Sequence, residues 1–317
     1  MNPAAGAKPT VFLRDYRAPA WRVSDVELEF DLDPAATTVA ARLRVEPDPA
    51  QPGAPLHLDG EGLELLELRV DGHAIGDDAY EVDARGLTIR NLKGAATVET
   101  RAIIVPERNT ALQGLYLSGE RSTGFLLTQC EAEGFRRITW FTDRPDVLAR
   151  YAVTLRASKA RFPLLLANGN IDGSGDLPDG RHFARFVDPH PKPSYLFALV
   201  AGNLERIEDE YTTSEGRRVK LFIHAEANLV ARCAWAMQCL KMAMRWDEER
   251  FGRAYDLDVF HIVATRDFTM GAMENKGLNI FNAKYLSPIP IMRPTMITAM
   301  CSRSSATSIS TTGAAIA

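Results

Sequence analysis

The chain has 317 residues and a formal net charge of −4, with 46% hydrophobic and 25% charged residues. That length leaves room for more than one domain and that apolar content can build a real core, while the acidic balance excludes a bulk basic footprint for nucleic acid. No apolar run approaches the ~20 residues of a membrane span, and the Ala/Pro-rich stretch Met1 to Thr10 lacks the h-region of a signal peptide, so a soluble cytoplasmic protein is expected.

Residues 1–14 read as a flexible N-terminus, and the strand signals begin after them. Val26, Leu28, Phe30 and Leu32 alternate with Glu27, Glu29 and Asp31, the period of a strand with one wet face. Leu63 to Val70 runs into Asp71-Gly72, a hairpin turn signal, and Tyr80 to Ile89, Val98 to Val105, Tyr151 to Leu155, Leu164 to Asn168 and Tyr195 to Ala201 continue the series. Pro47, Pro49, Pro52 and Pro55 punctuate it early, and Asn168, Gly169, Asn170, Gly173 and Gly175 read as turn residues later. Short strands at this spacing predict an antiparallel, saddle-like sandwich over 15–203, a mainly β domain.

Near residue 204 the pattern changes. Val219 to His224 reads as a strand, and from Leu229 to Arg250 the period becomes helical: Leu229, Cys233, Met237, Leu240 and Met244 form one apolar face, with Arg232, Lys241, Arg245 and Glu248 on the wet one. The methionines read as core filling. Leu257 to Ala264 reads as a strand, and Asn279 to Lys284 as its returning partner. A second, α+β domain is therefore expected over 204–285. Cys130, Cys233, Cys239 and Cys301 are too sparse and irregular for a disulfide framework or a zinc knuckle, so reduced structural thiols are expected.

Two motifs carry chemistry: Thr128-Gln129-Cys130-Glu131-Ala132-Glu133-Gly134-Phe135-Arg136-Arg137, with Asp143-Arg144-Pro145-Asp146 close behind, and Met270-Gly271-Ala272-Met273-Glu274-Asn275. In this order they resemble the zinc-dependent aminopeptidase N family, in particular its bacterial cytoplasmic alanyl type, over essentially Pro9 to Tyr285. The resemblance implies that the second domain is the start of a thermolysin-like catalytic domain. It also implies that Glu131 and Glu274 hold the α-amine of a peptide substrate, that Gln129 and Met270 line the pocket for its first side chain, and that the backbone of Gly271 and Ala272 runs beside it. Met273 and Asn275 complete the same substrate-binding stretch. The chemistry is coherent, because ionised carboxylates are natural partners for an ammonium and a pair of them measures the distance from the chain terminus to the reacting bond.

Catalysis in that family uses zinc held by the two histidines of HExxH and a downstream glutamate, with the motif's own glutamate as general base. Here the six histidines are His57, His73, His182, His190, His224 and His261, and no two stand four apart. They read as turn or packing residues, and neither bound zinc nor a catalytic residue is expected in this chain. By resemblance, the family's oxyanion-stabilising tyrosine would lie past Ala317.

After Tyr285 the composition turns to Ser and Thr, without Asp or Glu, and residues 286–317 are expected to be a disordered tail produced by a frameshift. Joining the third base of each codon to the first two of the next, from near Pro288, allows DPDNATDDDYGNVFAVIGHEYFHNWGGNR. Met296 and Met300 have single codons and force Asp and Val there, and Ser305 to Gly313 yields GHEYFHNW.

The expected function is thus the N-terminal part of a zinc metallo-aminopeptidase acting on peptides with a free N-terminus, inactive by itself and monomeric when complete. A non-catalytic β-rich interaction protein of the same fold is the other open reading. With its domain cut short, the apolar face from Leu229 to Met244 and the strand Val259 to Val263 are expected to lack cover, whereas the β domain should form a closed set able to fold alone.

Overall fold

In strand Trp21–Asp31, Val26, Leu28 and Phe30 are at most 1% exposed while Glu27, Glu29 and Asp31 face water. This strand, in a computed structural model that describes residues 12–286, lies inside an eight-stranded sheet. Across the sheet the order is Asn170–Asp176, Arg181–Pro193, Leu148–Ser158, Trp21–Asp31, Thr37–Pro47, Ala96–Ile104, Glu64–Val70 and His73–Ala74. The expected tail lies outside the described residues from 287 onward, as does the expected flexible N-terminus up to residue 11.

Neighbours in this sheet run antiparallel except Trp21–Asp31 and Leu148–Ser158, which are parallel from Asp25↔Arg150 to Asp31↔Arg156. Between these strands the chain builds a three-stranded sheet and half of a four-stranded one, then returns to the free edge of the first strand in the same direction. Asp71-Gly72 makes the expected hairpin turn, with φ of 50° and 79° and Val70 paired to His73. Asn170–Asp176, read above as turn, is instead a glycine-bearing edge strand paired along Arg181–Pro193. Its pairing partner, not its composition, makes it a strand.

The four-stranded sheet runs Leu164–Ala167, Leu199–Gly202, Phe125–Gln129 and Gly114–Ser118. Its strands are apolar on both faces, and alternation explains why. Leu126, Leu165, Leu199 and Ala201 join the core shared with the eight-stranded sheet and with a three-stranded one built from Leu56–Asp59, Gly86–Ile89 and Tyr80–Asp83. Phe125, Leu127, Leu166 and Val200 face the other way, into a cluster with Val263, Met273, Leu278 and Ile280 of the second domain. The β domain is therefore not a closed set, since one of its sheets is completed by the residues that follow.

Those residues form a five-stranded sheet ordered Glu205–Thr212, Arg218–Ala225, Val259–Thr265, Leu278–Asn282 and Ala272–Met273, with a parallel centre. The returning strand ends at Asn282, where a helical turn Ala283–Leu286 begins. A short helix Ala227–Val230 is followed by Ala234–Phe251, so the single helix expected from Leu229 is broken before Ala234. Gly252, left-handed at φ 65°, terminates it.

Contrary to expectation, the helix face and the strand are covered: Met237, Leu240 and Met244 are 3%, 0% and 2% exposed, and Phe260 and Ile262 pack with them. Helix and sheet bury each other's apolar faces, while Val263 on the opposite face meets the β domain. Cys130, Cys233 and Cys239 are buried and outside any disulfide. Among the described residues no helix is long and apolar enough to cross a membrane.

Candidate functional site

Strand Phe125–Gln129 delivers the first motif to the rim between the domains. Gln129 is 3% exposed; its Nε2 donates to the Glu131 carbonyl at 3.2 Å, and its Oε1 has no partner among the described residues. The chain then turns sharply: Gly134 N donates to the Cys130 carbonyl at 2.7 Å, and a 3-10 turn Phe135–Arg137 follows. The Phe135 ring fixes this turn in the core, its centroid 5.1 Å from Phe141 and 5.2 Å from Phe197 in edge-on contacts.

Asp143 explains why the second half of the motif is needed. Its Oδ2 accepts from the Arg136 backbone N–H and from Nε, each at 3.1 Å, and its Oδ1 accepts from the Ser194 hydroxyl at 2.6 Å. Burial raises the Asp143 pKa, and the bonds from Ser194 and Arg136 oppose it. The loop that carries Glu131 is thereby tied to the chain segment just before Tyr195.

Glu274 arrives from the second domain on a hairpin. Ala272 and Met273 pair with Phe281 and Ile280, Asn282 N donates to the Gly271 carbonyl at 2.9 Å, and Leu278 N donates to the Asn275 carbonyl at 3.0 Å. A β-carbon on Gly271 would stand 3.1 Å from the Tyr285 ring, so its missing side chain makes room for that ring. Met273 turns into the interdomain cluster, Met270 packs at its edge, and Ala272 lies half-buried. Asn275 is 1% exposed, and neither of its amide atoms has a partner among the described residues.

The two carboxylates share one neighbourhood. Glu131 keeps an exposed surface, yet partial burial of its carboxyl group and then the Glu274 charge push its pKa up. Tyr195, expected from the sequence only as the start of a strand, is the third member: burial first, then Glu274 and Glu131, raise its phenol. Two carboxylates close enough to repel disfavour each other's ionised form. Of the sequence-predicted residues, Glu131 and Glu274 feel each other's charge and Gln129 donates to the Glu131 backbone, while Met273 and Asn275 are buried.

The matches to known proteins fit this geometry. The Peptidase M1 N-terminal domain matches residues 22–196, and the Peptidase family M1 domain matches residues 235–299. The chain belongs to peptidase family M1. This M1 chain is 50% identical over 280 residues to Aminopeptidase N of Caulobacter vibrioides, covering 88% of the chain and 32% of that relative. It is 47% identical over 275 residues to Aminopeptidase N of Escherichia coli, covering 87% and 31%. Its fold superposes on the crystal structure of Legionella pneumophila aminopeptidase A in complex with aspartic acid with a TM-score of 0.86 at 33% identity, over 94% of this chain and 35% of that one. The M1 chain thus spans about a third of the length of these relatives.

M1 is a family of zinc metallopeptidases. Among the described residues no group of three His, Cys, Asp or Glu side chains could hold a metal ion, so these residues do not fit the family's zinc. His224 and His261 face each other, and their nitrogens, Nε2 and Nδ1, share a hydrogen bond at 3.1 Å. Burial, reinforced by Arg206, pushes the His224 pKa down to about 4, and burial with the neighbouring imidazole and Arg206 pushes His261 well below its ordinary value.

A depressed histidine favours folding above the unfolded value of about 6.5, and that contribution is lost as pH falls through the folded value. The urea midpoint of the second domain is expected to drop as pH is lowered from about 6.5 towards 4. The ring protons of His224 are expected to titrate near 4, and an ordinary titration by NMR would overturn the assignment.

Proposed function

We propose that this chain supplies the N-terminal β domain and the α-amine-anchoring edge of a zinc metallo-aminopeptidase of the alanyl type, which removes N-terminal residues from peptides. The observation that carries the reading is the pair Glu131 and Glu274, delivered from two domains into one electrostatic neighbourhood beside Tyr195. A protonated α-amine between them would relieve their repulsion and donate hydrogen bonds to both carboxylates. Gln129 Oε1, buried and unpartnered among the described residues, adds an acceptor suited to the same ammonium.

The sequence as given lacks HExxH, and the chain by itself is inactive in this reading. The neighbouring-frame reading GHEYFHNW across Ser305 to Gly313 supports a frameshift as the origin of that lack. The encoding nucleotides across Tyr285 to Ala317 test it: third bases unable to spell HEYFH in the shifted frame sink the idea. Zinc content and hydrolysis of an alanyl anilide, measured on this polypeptide and on a frame-restored one, test the function. Zinc and activity are expected only in the restored chain; their absence from both would favour the non-catalytic reading.

A further inference from the structure

The segment bearing Glu274 is held against the β domain at both ends. At its start, Asp267 Oδ2 accepts from the Ser118 hydroxyl at 2.9 Å and from Gly119 N at 2.7 Å. At its end, Asn168 Nδ2 donates to the Lys276 carbonyl at 2.8 Å. The same Nδ2 donates to the Leu196 carbonyl at 3.0 Å, and Oδ1 accepts from Ala198 N at 2.7 Å. Asn168 is 1% exposed, so both amide protons and the oxygen are committed inside the protein. One bond goes to the residue two after Glu274, another to the residue following Tyr195.

We propose that Asn168 is a positioning residue that sets Glu274 against Glu131, an inference that rests on the amine-anchor reading for its purpose but not for its geometry. The amide geometry suits the task, because two donors on one nitrogen bridge a carbonyl of each domain while the oxygen locks the rotamer. Lys276, whose carbonyl it takes, is itself 1% exposed and fixed by Nζ to Asp256 Oδ2 at 2.7 Å, so the anchor segment has little freedom at that end. Asn170, two residues on, makes a reciprocal pair with Asp258 at 3.0 Å that joins the domains without touching the Glu274 segment.

The test uses the 317-residue chain with carbon-13 in its glutamate carboxyl groups, and reads the titration midpoint of Glu131. In Glu274→Gln the midpoint falls, because one of its two causes is gone; that fall sets the scale. Asn168→Ala is expected to lower the midpoint by at least half as much, with the far-UV circular dichroism retained. Asn170→Ala is expected to leave it nearly unmoved.

An unmoved midpoint in Asn168→Ala, or an equal fall in Asn170→Ala, overturns the proposal. If Asn168→Ala does not fold, Asn168→Leu takes its place under the same criteria, since it keeps the shape and adds no charge while removing both donors. Binding of L-alaninamide to the unaltered chain reports separately on the anchor reading. No binding with intact carboxylate coupling sinks that reading and leaves the positioning role standing.

Discussion

Replacing Glu131 or Glu274 with glutamine is expected to weaken L-alaninamide binding by about 10- to 150-fold, since a hydrogen bond to a charged group contributes roughly 1.5–3 kcal/mol. Both carboxylates serve one ammonium, so the double variant is expected to lose less than the product of the two single losses. Binding requires an ionised pair, and the raised pKa of Glu131 places its loss at a higher pH than an ordinary glutamate would. As pH falls, affinity is expected to decline through that range. In Glu274→Gln the decline shifts to lower pH, because the repelling charge is absent.

Isothermal titration across pH, on each variant, checks both magnitude and direction. Glu131→Gln also removes the repulsion, so its melting temperature is not expected to fall. Weak binding joined to a lower melting temperature would indicate unfolding rather than a lost anchor, and equal binding in the unaltered chain and all three variants would sink the clamp.

What the sequence disclosed follows from what each signal measures. Alternation announced Trp21–Asp31, and the three- and four-residue spacing announced the buried face of Ala234–Phe251. Both periodicities report one dry face against one wet face. The apolar runs Leu164–Ala167 and Leu199–Gly202 were legible as strands, but not their second partner, because burial on both faces erases the alternation that assigns a side. The pair Glu131 and Glu274 emerged through motifs. Tyr195 and Asn168 did not: the first lies in a stretch read as strand and the second in a cluster read as turn. Asn, Gly, Asn is a turn signal locally, and only the arrival of Lys276 from 108 residues away converts it into a docking point.

The interdomain contact also changes how the fold's stability should be viewed. Leu127, Leu166 and Val200 pack in one cluster with Val263, Met273, Leu278 and Ile280, so the hairpin bearing Glu274 is part of a core rather than an appendage. The proposed amine site, at the rim of that core, inherits its rigidity. Position is set by Asn168 and Asp267 at the two ends, and by Met273 in the middle.

Gly169 gives the sharpest test of this docking. Its φ is +93°, and an added β-carbon would lie 2.3 Å from the Val187 carbonyl oxygen, 2.4 Å from its carbon and 2.6 Å from Asp188 N. All three are backbone atoms, so no rotamer change relieves the clash. A left-handed L-residue costs about 1–2 kcal/mol and forced overpacking about 1–3, which makes Gly169→Ala worth roughly 2–5 kcal/mol against a typical total of about 5–15. Gly173, in the edge strand that follows, meets nothing within 4 Å, and Gly173→Ala is expected to change stability by less than about 1 kcal/mol. Urea unfolding of both variants beside the unaltered chain measures the contrast. Because Gly169 adjoins Asn168, its displacement should also draw the amide from the Lys276 carbonyl and lower the Glu131 midpoint. A Gly169→Ala chain within 1 kcal/mol of the unaltered one, or as stable as Gly173→Ala, would show that the Val187 backbone yields freely and that the Asn168 to Asn170 turn is not held as tightly as its contacts imply.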